Sequence, residues 1–414
     1  MKRTIIALAV GAAVAAPAAY ADVTLSGNIN AGPAVVKSGD GSTGAANSLN
    51  TTGPTAQQGI TRTGIDTNYS NVTIGSMEDL GGGLKLDFAF QMIAPINSNS
   101  GVTNRNSHIG LVSDSWGGVW WGSNENLYER YLYNVDPLDG AAGIGGNLSI
   151  LGTPGYGNVF DAPTGNPTNC TTTINGVARA GCADFYRRTE NSVWYDSPSW
   201  GGLTFGAYTS LDAYKQQTSG LGAGNPEVWG IGTKYMSPEV PVQAWVAYER
   251  HKDLYGLNAI TGTAATANST RDHGLEVGGG YTLGDILLFA TFEQLKYEAD
   301  GLALGTVDEY KRNAWSLGLK WNVPTGYVGA QYMQAQSGKC ELAGGGGCDA
   351  SKTGAKSVGL GYYHTLSKQT QAYVMGQYIN NDDLNFYTVA GGTGVPSNLG
   401  ANVYAVTVGL KHSF

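Results

Sequence analysis

The chain has 414 residues, of which 62 are glycine, 24 tyrosine and 9 tryptophan, while only 14% are charged. Its formal net charge of −8 argues against nucleic-acid partners, which require a basic surface. The length would allow two domains. Neither a linker nor a block of charge interrupts the sequence after residue 21, however, so one continuous β architecture is favoured.

The first residues have the pattern of a secretory leader. Lys2 and Arg3 precede an apolar run over 5–16, and Ala-Tyr-Ala at 19–21 supplies the small residues of a cleavage site. The apolar run is too short to span a bilayer, and no cysteine stands at the cleavage point to carry a lipid. We therefore predict a cleaved signal peptide over 1–21 and an exported chain.

Period-two alternation predicts strands along the mature chain, residues 22–414. Over 84–92, leucine, phenylalanine and methionine alternate with lysine, aspartate, alanine and glutamine, and the segment 315–321 alternates in the same way. Each such strand has one apolar and one polar face. The mature sequence has no run of about 18 apolar residues, which a transmembrane helix needs.

Short and long connections alternate between these strands. Seven tight turns are predicted at 78–83, 114–118, 197–202, 237–241, 283–285, 323–326 and 366–370. Eight longer segments, rich in Gly, Asn, Ser and Thr, begin near Lys37, Asn97, Asn124, Asp212, Lys252, Asp300, Ser337 and Asn381. Eight loops and seven turns join sixteen antiparallel strands.

Sixteen strands with short turns at one rim and long loops at the other are typical of transmembrane β-barrels of the Gram-negative outer membrane, where about 9 to 11 tilted residues cross the hydrocarbon. A soluble β-sandwich is the alternative, but it must protect its edge strands, whereas a closed barrel has none. The last strand has an apolar face suited to lipid, formed by Tyr404, Val406, Val408, Leu410 and Phe414. We predict an all-β, 16-stranded barrel with short periplasmic turns and long extracellular loops.

Five segments, in chain order, resemble the general diffusion porins of Gram-negative bacteria, in particular the group typical of beta-proteobacteria. They are DVTLSG at 22–27, EDLG at 78–81, RNSHIGL at 105–111, NSVWYDSP at 191–198 and VGLKHSF at 408–414. The resemblance implies a homotrimer that passes small hydrophilic solutes and ions, without cofactor or chemistry, in contact with outer-membrane lipid and lipopolysaccharide. It also implies that the barrel-assembly machinery recognises the terminal strand.

The resemblance further implies that the third long loop, from Asn124 to about residue 184, folds into the barrel and narrows the pore. Its first part carries four carboxylates, on Glu125, Glu129, Asp136 and Asp139. We expect these carboxylates to face basic residues on the opposite wall of the barrel. Opposed charges of this kind would set up a field across the pore that selects polar solutes.

The wall is less basic than is usual in the family. Arg105 and Arg188 occupy basic positions, but Asn71 and Trp194 stand where a basic residue is common. Without the leader, the chain has 22 basic and 32 acidic residues, which gives a net charge of −10. The sequence therefore favours cation preference or weak selectivity, with the alternative that both arginines are solvated lumen charges without effect.

Four cysteines, Cys170, Cys182, Cys340 and Cys348, allow three pairings. The two close pairs each lie within one predicted loop of an exported chain, so Cys170 with Cys182 and Cys340 with Cys348 are favoured. A metal site is the rival interpretation. These cysteines lack the short paired spacing and the nearby histidines of zinc sites, and no metal is predicted.

Two other functions compete with a general channel. A barrel enzyme would need a base near a nucleophile, and only His251 and His273, beside Asp253 and Asp272, bracket an outer loop; ordinary loop polarity explains them better. No Gly-x-Ser-x-Gly elbow is present. A substrate-specific channel would need a line of aromatic residues leading into the lumen, which the tryptophans do not evidently form: Trp120, Trp121, Trp194 and Trp229.

Overall fold

The computed structural model describes residues 22–49, 57–67, 70–94, 96–97, 101–133, 135–139, 143–155, 171–174, 177–180, 183–211, 227–261, 267–389 and 398–414. The predicted leader and the predicted pair Cys170 with Cys182 lie outside these residues. None of the helices in the described residues is long and apolar enough to cross a membrane.

Strands dominate the structure. They are β1 (Thr24–Ser38), β2 (Ile60–Asp66), β3 (Asn71–Gly81), β4 (Leu84–Ile93), β5 (Thr103–Ser113), β6 (Gly117–Glu125), β7 (Thr171–Ile174), β8 (Val177–Ala180), β9 (Arg188–Asp196), β10 (Leu203–Ser210), β11 (Glu227–Met236), β12 (Val242–Lys252), β13 (Ser269–Leu283), β14 (Ile286–Asp300), β15 (Val307–Val323), β16 (Gly326–Ala335), β17 (Lys339–Leu342), β18 (Ala355–Thr365), β19 (Thr370–Asn381) and β20 (Val403–Ser413). Two short helices, α1 (Leu127–Tyr133) and α2 (Gly256–Thr261), and a 3-10 turn at Asn147–Ser149 lie in the loops.

The sheet closes because the first strand pairs with the last, with Val35 opposite Val406 in the antiparallel β1–β20 ladder. Strands β2 and β3 both pair with β1 and together form one interrupted barrel strand. The short β17 extends the outer end of β15, and β7 with β8 forms a separate hairpin. The barrel therefore has sixteen strands, and the predicted fold is confirmed, including its seven short turns and eight long loops.

The outer surface of the barrel is apolar and exposed, the reverse of a soluble protein. On β20, Val406, Val408 and Leu410 are 53–55% exposed, whereas Ala405 and Thr407, on either side of Val406, are buried. The alternation predicted from the sequence thus separates a lipid-facing side from an inner side. The terminal Phe414 is also exposed, and its backbone pairs with Gly27 at the start of β1.

The buried core lies inside the barrel, where the third loop packs against the inner wall. Leu127, Tyr128 and Leu132 of α1 are buried, as are Ile150 and Leu151 further along the loop. A loop that enters the lumen can satisfy its backbone groups with inward-facing polar side chains of the strands. The predicted inward fold of the third loop is confirmed.

Candidate functional site: the barrel lumen and its third loop

The third loop turns into the lumen at Asn126. The side-chain oxygen of Asn126 accepts a hydrogen bond from the backbone N–H of Glu129 at 2.7 Å, which caps the start of α1. Its side-chain N–H donates to the carbonyl of Phe185 at 2.6 Å and also bonds Glu249 on β12. The buried side chain of Asn126 therefore links the start of the third loop, its end at Phe185 and strand β12 of the wall.

Four of the predicted constriction residues form one buried cluster at this point. Arg105 lies 2.9 Å from Glu125, and Arg188 lies 3.1 Å from Glu125 and 3.6 Å from Glu129. Burial raises the pKa of Glu129, and the guanidinium of Arg188 opposes that shift. Each charge is therefore largely compensated by a neighbour.

This arrangement corrects the expectation that these charges face each other across the open pore. Glu125 is the last residue of β6 and is in register with Arg188, the first residue of β9, so the two lie on neighbouring strands. A loop of more than sixty residues separates them in sequence, and the sequence pattern alone cannot supply that register. Arg105 is 4% exposed and thus is not a solvated lumen charge.

The other two predicted carboxylates lie further along the loop. Asp136 is buried, and its side chain accepts a hydrogen bond from the backbone N–H of Leu138 at 3.0 Å. Asp139 pairs with Lys411 on β20. The structure therefore places Asp136 in a turn and Asp139 against the wall, away from Arg105 and Arg188.

Pro137 and Leu138, between these two carboxylates, occupy a socket of inward-facing glycines. A Cβ at Gly329 would lie 2.1 Å from the carbonyl oxygen of Pro137, and one at Gly359 would lie 2.7 Å from the side chain of Leu138. A Cβ at Gly361 would lie 3.0 Å from the same side chain. The missing side chains on three positions of β16 and β18 thus create the space that the loop fills.

Polar contacts also fasten residues 145–152 of the loop to the wall of the barrel. Gln377 of β19 accepts a hydrogen bond from the N–H of Gly145 at 2.9 Å and donates to Ser149 at 2.7 Å. Arg312 of β15 donates to the carbonyl of Ile150 at 2.9 Å and pairs with Glu293 of β14 at 2.7 Å, both fully buried. The loop is therefore attached to the wall from β14 to β19.

The inner face of β3 and β4, next to β5 with its Arg105, carries amides and hydroxyls as well as the carboxylate of Asp87. Gln91 of β4 donates to Thr73 of β3 at 3.1 Å and contacts the side-chain oxygen of Asn71 at 3.4 Å. Nearby, the carboxylate of Asp87 accepts a hydrogen bond from the indole of Trp120 at 2.8 Å and lies 3.3 Å from His108. Sequence reasoning missed Gln91 and Asp87 as site residues, although both stand on the predicted polar face of β4.

The histidines that an enzyme would need are not brought together. His251 faces the lumen and is fully buried, 2.5 Å from Glu249 and stacked on Phe185 with ring centroids 4.4 Å apart. His273 lies on the outer face of the neighbouring strand, where it contacts Glu298 at 3.3 Å. In the described part of the chain, no group of three or more His, Cys, Asp or Glu residues could hold a metal ion.

Comparison with known proteins agrees with this geometry. A family model for Gram-negative porins matches residues 7–384, so the chain belongs to the Gram-negative porin family. Outer membrane porin protein 32 of Delftia acidovorans is 26% identical over 425 residues, which span 100% of both chains. The protein is thus an outer-membrane channel for the passive diffusion of small solutes.

Two solved structures share the fold. An anion-selective porin from Comamonas acidovorans has a TM-score of 0.68 at 21% identity, covering 95% of this chain and all of that one. OmpT of Vibrio cholerae, solved in a trimer form, has a TM-score of 0.56 at 13% identity, covering 95% of this chain and 99% of that one.

Proposed function

We propose that the lumen is a water-filled channel of weak ion selectivity, narrowed by the third loop. The observation that carries this proposal is the direct pairing of the loop carboxylates with the wall arginines, at 2.9–3.6 Å. Opposite charges in contact cancel most of each other's field at a distance, so they add little to the selection of permeating ions. The amides of Asn71 and Gln91 on the neighbouring strands β3 and β4 add no charge.

Single-channel conductance and the zero-current potential in a salt gradient test this proposal. We expect large openings with a potential close to zero for the unmodified channel. Glu125→Gln leaves Arg105 and Arg188 less compensated and should shift the potential toward anion preference. Glu298→Gln, which removes a carboxylate from the outer face of β14, is the matched control and should leave the potential unchanged.

A strongly anion-signed potential in the unmodified channel would contradict weak selectivity. It would instead make the channel similar to the anion-selective porin of Comamonas acidovorans.

A substrate-specific channel is not favoured by the aromatic residues. Trp120, Trp194 and Tyr208 are in register across β6, β9 and β10 and share the inner face. Trp194 and Tyr208 are buried under the third loop, so they do not offer permeating solutes a continuous aromatic track.

We also propose that the chain is a homotrimer without catalytic activity. The trimer form of OmpT and the exposed apolar outer surface support the assembly, and the burial of His251 beneath the third loop supports a lack of chemistry at that histidine. The exposed face of β20, with Phe414 at its end, is our candidate signal for the barrel-assembly machinery. Deletion of Phe414 should lower the yield of folded barrel in cells, whereas Lys368→Gln in a nearby turn should not.

A further inference from the structure

The inner face of β4, β5 and β6 carries a carboxylate and an imidazole that lie within hydrogen-bond distance of each other. The Oδ2 atom of Asp87 on β4 lies 3.3 Å from Nε2 of His108 on β5, and it accepts a hydrogen bond from the indole of Trp120 on β6 at 2.8 Å. His108 and Trp120 also stand edge to face, with ring centroids 6.3 Å apart. We call Asp87 and His108 the lumen pair.

A glycine makes this arrangement possible. Asp87 and Trp120 are both in register with Gly110, from opposite sides of β5. A Cβ at Gly110 would lie 2.3 Å from the indole, so a residue without a side chain lets Trp120 reach across β5 to Asp87. The position of the lumen pair is therefore fixed by three neighbouring strands.

The lumen pair is in contact with the water of the channel. Ile109, next to His108 in sequence, is exposed on the lipid-facing side, and side chains alternate between the two faces of a strand. The side chains of Asp87 and His108 are 22% and 18% exposed, whereas those of Arg105 and Glu125 in the buried cluster are 4% and 10% exposed. The lumen pair is therefore more accessible to permeating ions than that cluster.

The nearest other charges on β3 and β4 do not neutralise Asp87. Among the residues that the structure describes, no lysine or arginine forms an ion pair with it. Lys85, two residues nearer the turn on β4, lies 3.9 Å from Asp114, and Asp79 on β3 is opposite Lys85. His108 is therefore the described residue that forms an ion pair with Asp87.

The charges on the other elements around the lumen pair have partners of their own. Arg105, three residues before His108 on β5, bonds Glu125, the last residue of β6. Asp196, at the end of β9, pairs with Arg130 of α1 at 2.8 Å. These neighbours are therefore compensated without the lumen pair.

We propose that the lumen pair adjusts the ion preference of the channel to pH. The Nδ1 atom of His108 has no hydrogen-bond partner in the described part of the chain, so the neutral ring donates from Nε2 to Asp87, and Nδ1 takes up a proton. A histidine ordinarily changes its charge between about pH 5 and 8. With a neutral His108, the carboxylate of Asp87 attracts cations; with a protonated His108, the pair is neutral and the attraction is lost. This inference deepens the proposed weakly selective channel and rests on it.

The test is the zero-current potential across a planar bilayer, in a gradient centred on about 0.1 M salt, at about pH 8 and at about pH 5. The variants are His108→Gln, which cannot be protonated, and His108→Arg, which keeps a permanent positive charge. His364→Gln is the matched control. His364 lies on the outer face of β18 near a short turn, since Tyr363 beside it points inward and donates to the carbonyl of Leu138. Only inserted, conducting channels contribute to the recording, so a misfolded variant cannot imitate a result.

We expect the cation-to-anion permeability ratio of the parent and of His364→Gln to fall about twofold from the higher to the lower pH, and to fall less in about 1 M salt, which screens the charges. At both pH values, His108→Gln should keep the ratio that the parent has at the higher pH, and His108→Arg the ratio that it has at the lower pH. A ratio of the parent that does not change with pH would overturn the proposal. So would a change in His108→Gln as large as that in the parent, which would assign the titration to other groups.

Asp87→Asn separates the action of the pair from a merely structural role of His108. Loss of the carboxylate should lower the permeability ratio at the higher pH. It should also move the midpoint of the pH profile to lower pH, because the imidazolium loses its counter-charge. An unchanged midpoint would overturn the proposal, since the two residues would then not act together. The channel proposal would fail by a different result, a strongly anion-signed potential at both pH values.

Discussion

The inner and outer faces of β12 to β15 place ion pairs in different environments. On the inner face, Glu293 and Arg312 are fully buried and paired at 2.7 Å, and both bond the third loop. On the outer face of the same strands, Lys296 is only partly buried and lies 3.1 Å from Glu298 and 3.0 Å from Glu309. Charges that are buried must be compensated within the protein, whereas partly exposed charges are also compensated by solvent.

The comparison also separates net charge from local charge. The chain as a whole is acidic, with a net charge of −8, and the sequence alone led us to expect a field of opposed charges in the pore. In the structure, Glu125, Glu129 and Glu293 inside the barrel are paired with arginines. Selectivity therefore depends on which charges face the open lumen.

The largest effect on stability is expected from breaking the buried ion pair of Glu293 with Arg312. Glu293→Gln would leave the guanidinium of Arg312 buried without a counter-charge, and we expect a loss of about 3–5 kcal/mol in the free energy of unfolding. Denaturant titration of the folded barrel in detergent measures it. Asp300→Asn removes the exposed pair of Arg271 with Asp300 and should cost less than about 1 kcal/mol. Equal losses in both variants would mean that burial does not distinguish the two faces.

The glycine socket offers the next largest effect. In Gly329→Ala the new Cβ would stand 2.1 Å from the carbonyl oxygen of Pro137, so the loop must move. We expect a destabilisation of about 1–3 kcal/mol and a changed single-channel conductance. Gly376→Ala is the control, because its Cβ would meet nothing closer than 3.4 Å. An unaltered conductance in Gly329→Ala would show that the socket does not hold the loop in the pore.

The disulfide between Cys340 and Cys348 should have a local effect of intermediate size. The disulfide closes a short segment of the seventh loop. Its reduction, or Cys348→Ser, should lower the stability of that loop by about 2–3 kcal/mol. Limited proteolysis should then cut the loop faster, with the conductance unchanged. If the proteolysis rate stays the same, pairing of β17 with β15 holds the loop without the disulfide.

The smallest effect is expected at the contact of Asp139, in the third loop, with Lys411. Lys411→Gln removes the partner of Asp139, but this pair is partly exposed, so the stability should change by less than about 1 kcal/mol. The recording of open-channel current noise is the sensitive measurement, because a third loop held less tightly at Asp139 should fluctuate more. Lys352→Gln, which breaks a pair with Asp383 in the outer loops, serves as the control.

The fold could be predicted from the sequence because the alternation of apolar and polar residues is visible within each strand. Alternation over 84–92 gave the faces of β4, and the seven turns and eight loops lie where glycine-rich and polar segments predicted them. The pairing of Cys340 with Cys348 was also predicted correctly, since both lie in one loop.

The contacts inside the lumen could not be predicted in the same way. Glu125 and Arg188 become neighbours only through the register of β6 with β9, and Glu293 with Arg312 only through the register of β14 with β15. The glycines of the socket look like ordinary strand glycines until Leu138 is placed against them. Asp87 and Trp120 lie on β4 and β6, and only the register of both strands with β5 brings them together.

The backbone pairing of Phe414 with Gly27 lies where the last strand joins the first and closes the barrel. The backbone N–H of Gly27 donates to the carbonyl of Phe414 at 3.0 Å, and the N–H of Phe414 donates to the carbonyl of Gly27 at 3.1 Å. These two residues lie near opposite ends of the described chain, and the β1–β20 ladder beside them removes the free edges of both strands. A nascent chain interrupted before its final strand would expose two unsatisfied strand edges, and a cell would have to shield or degrade such a chain.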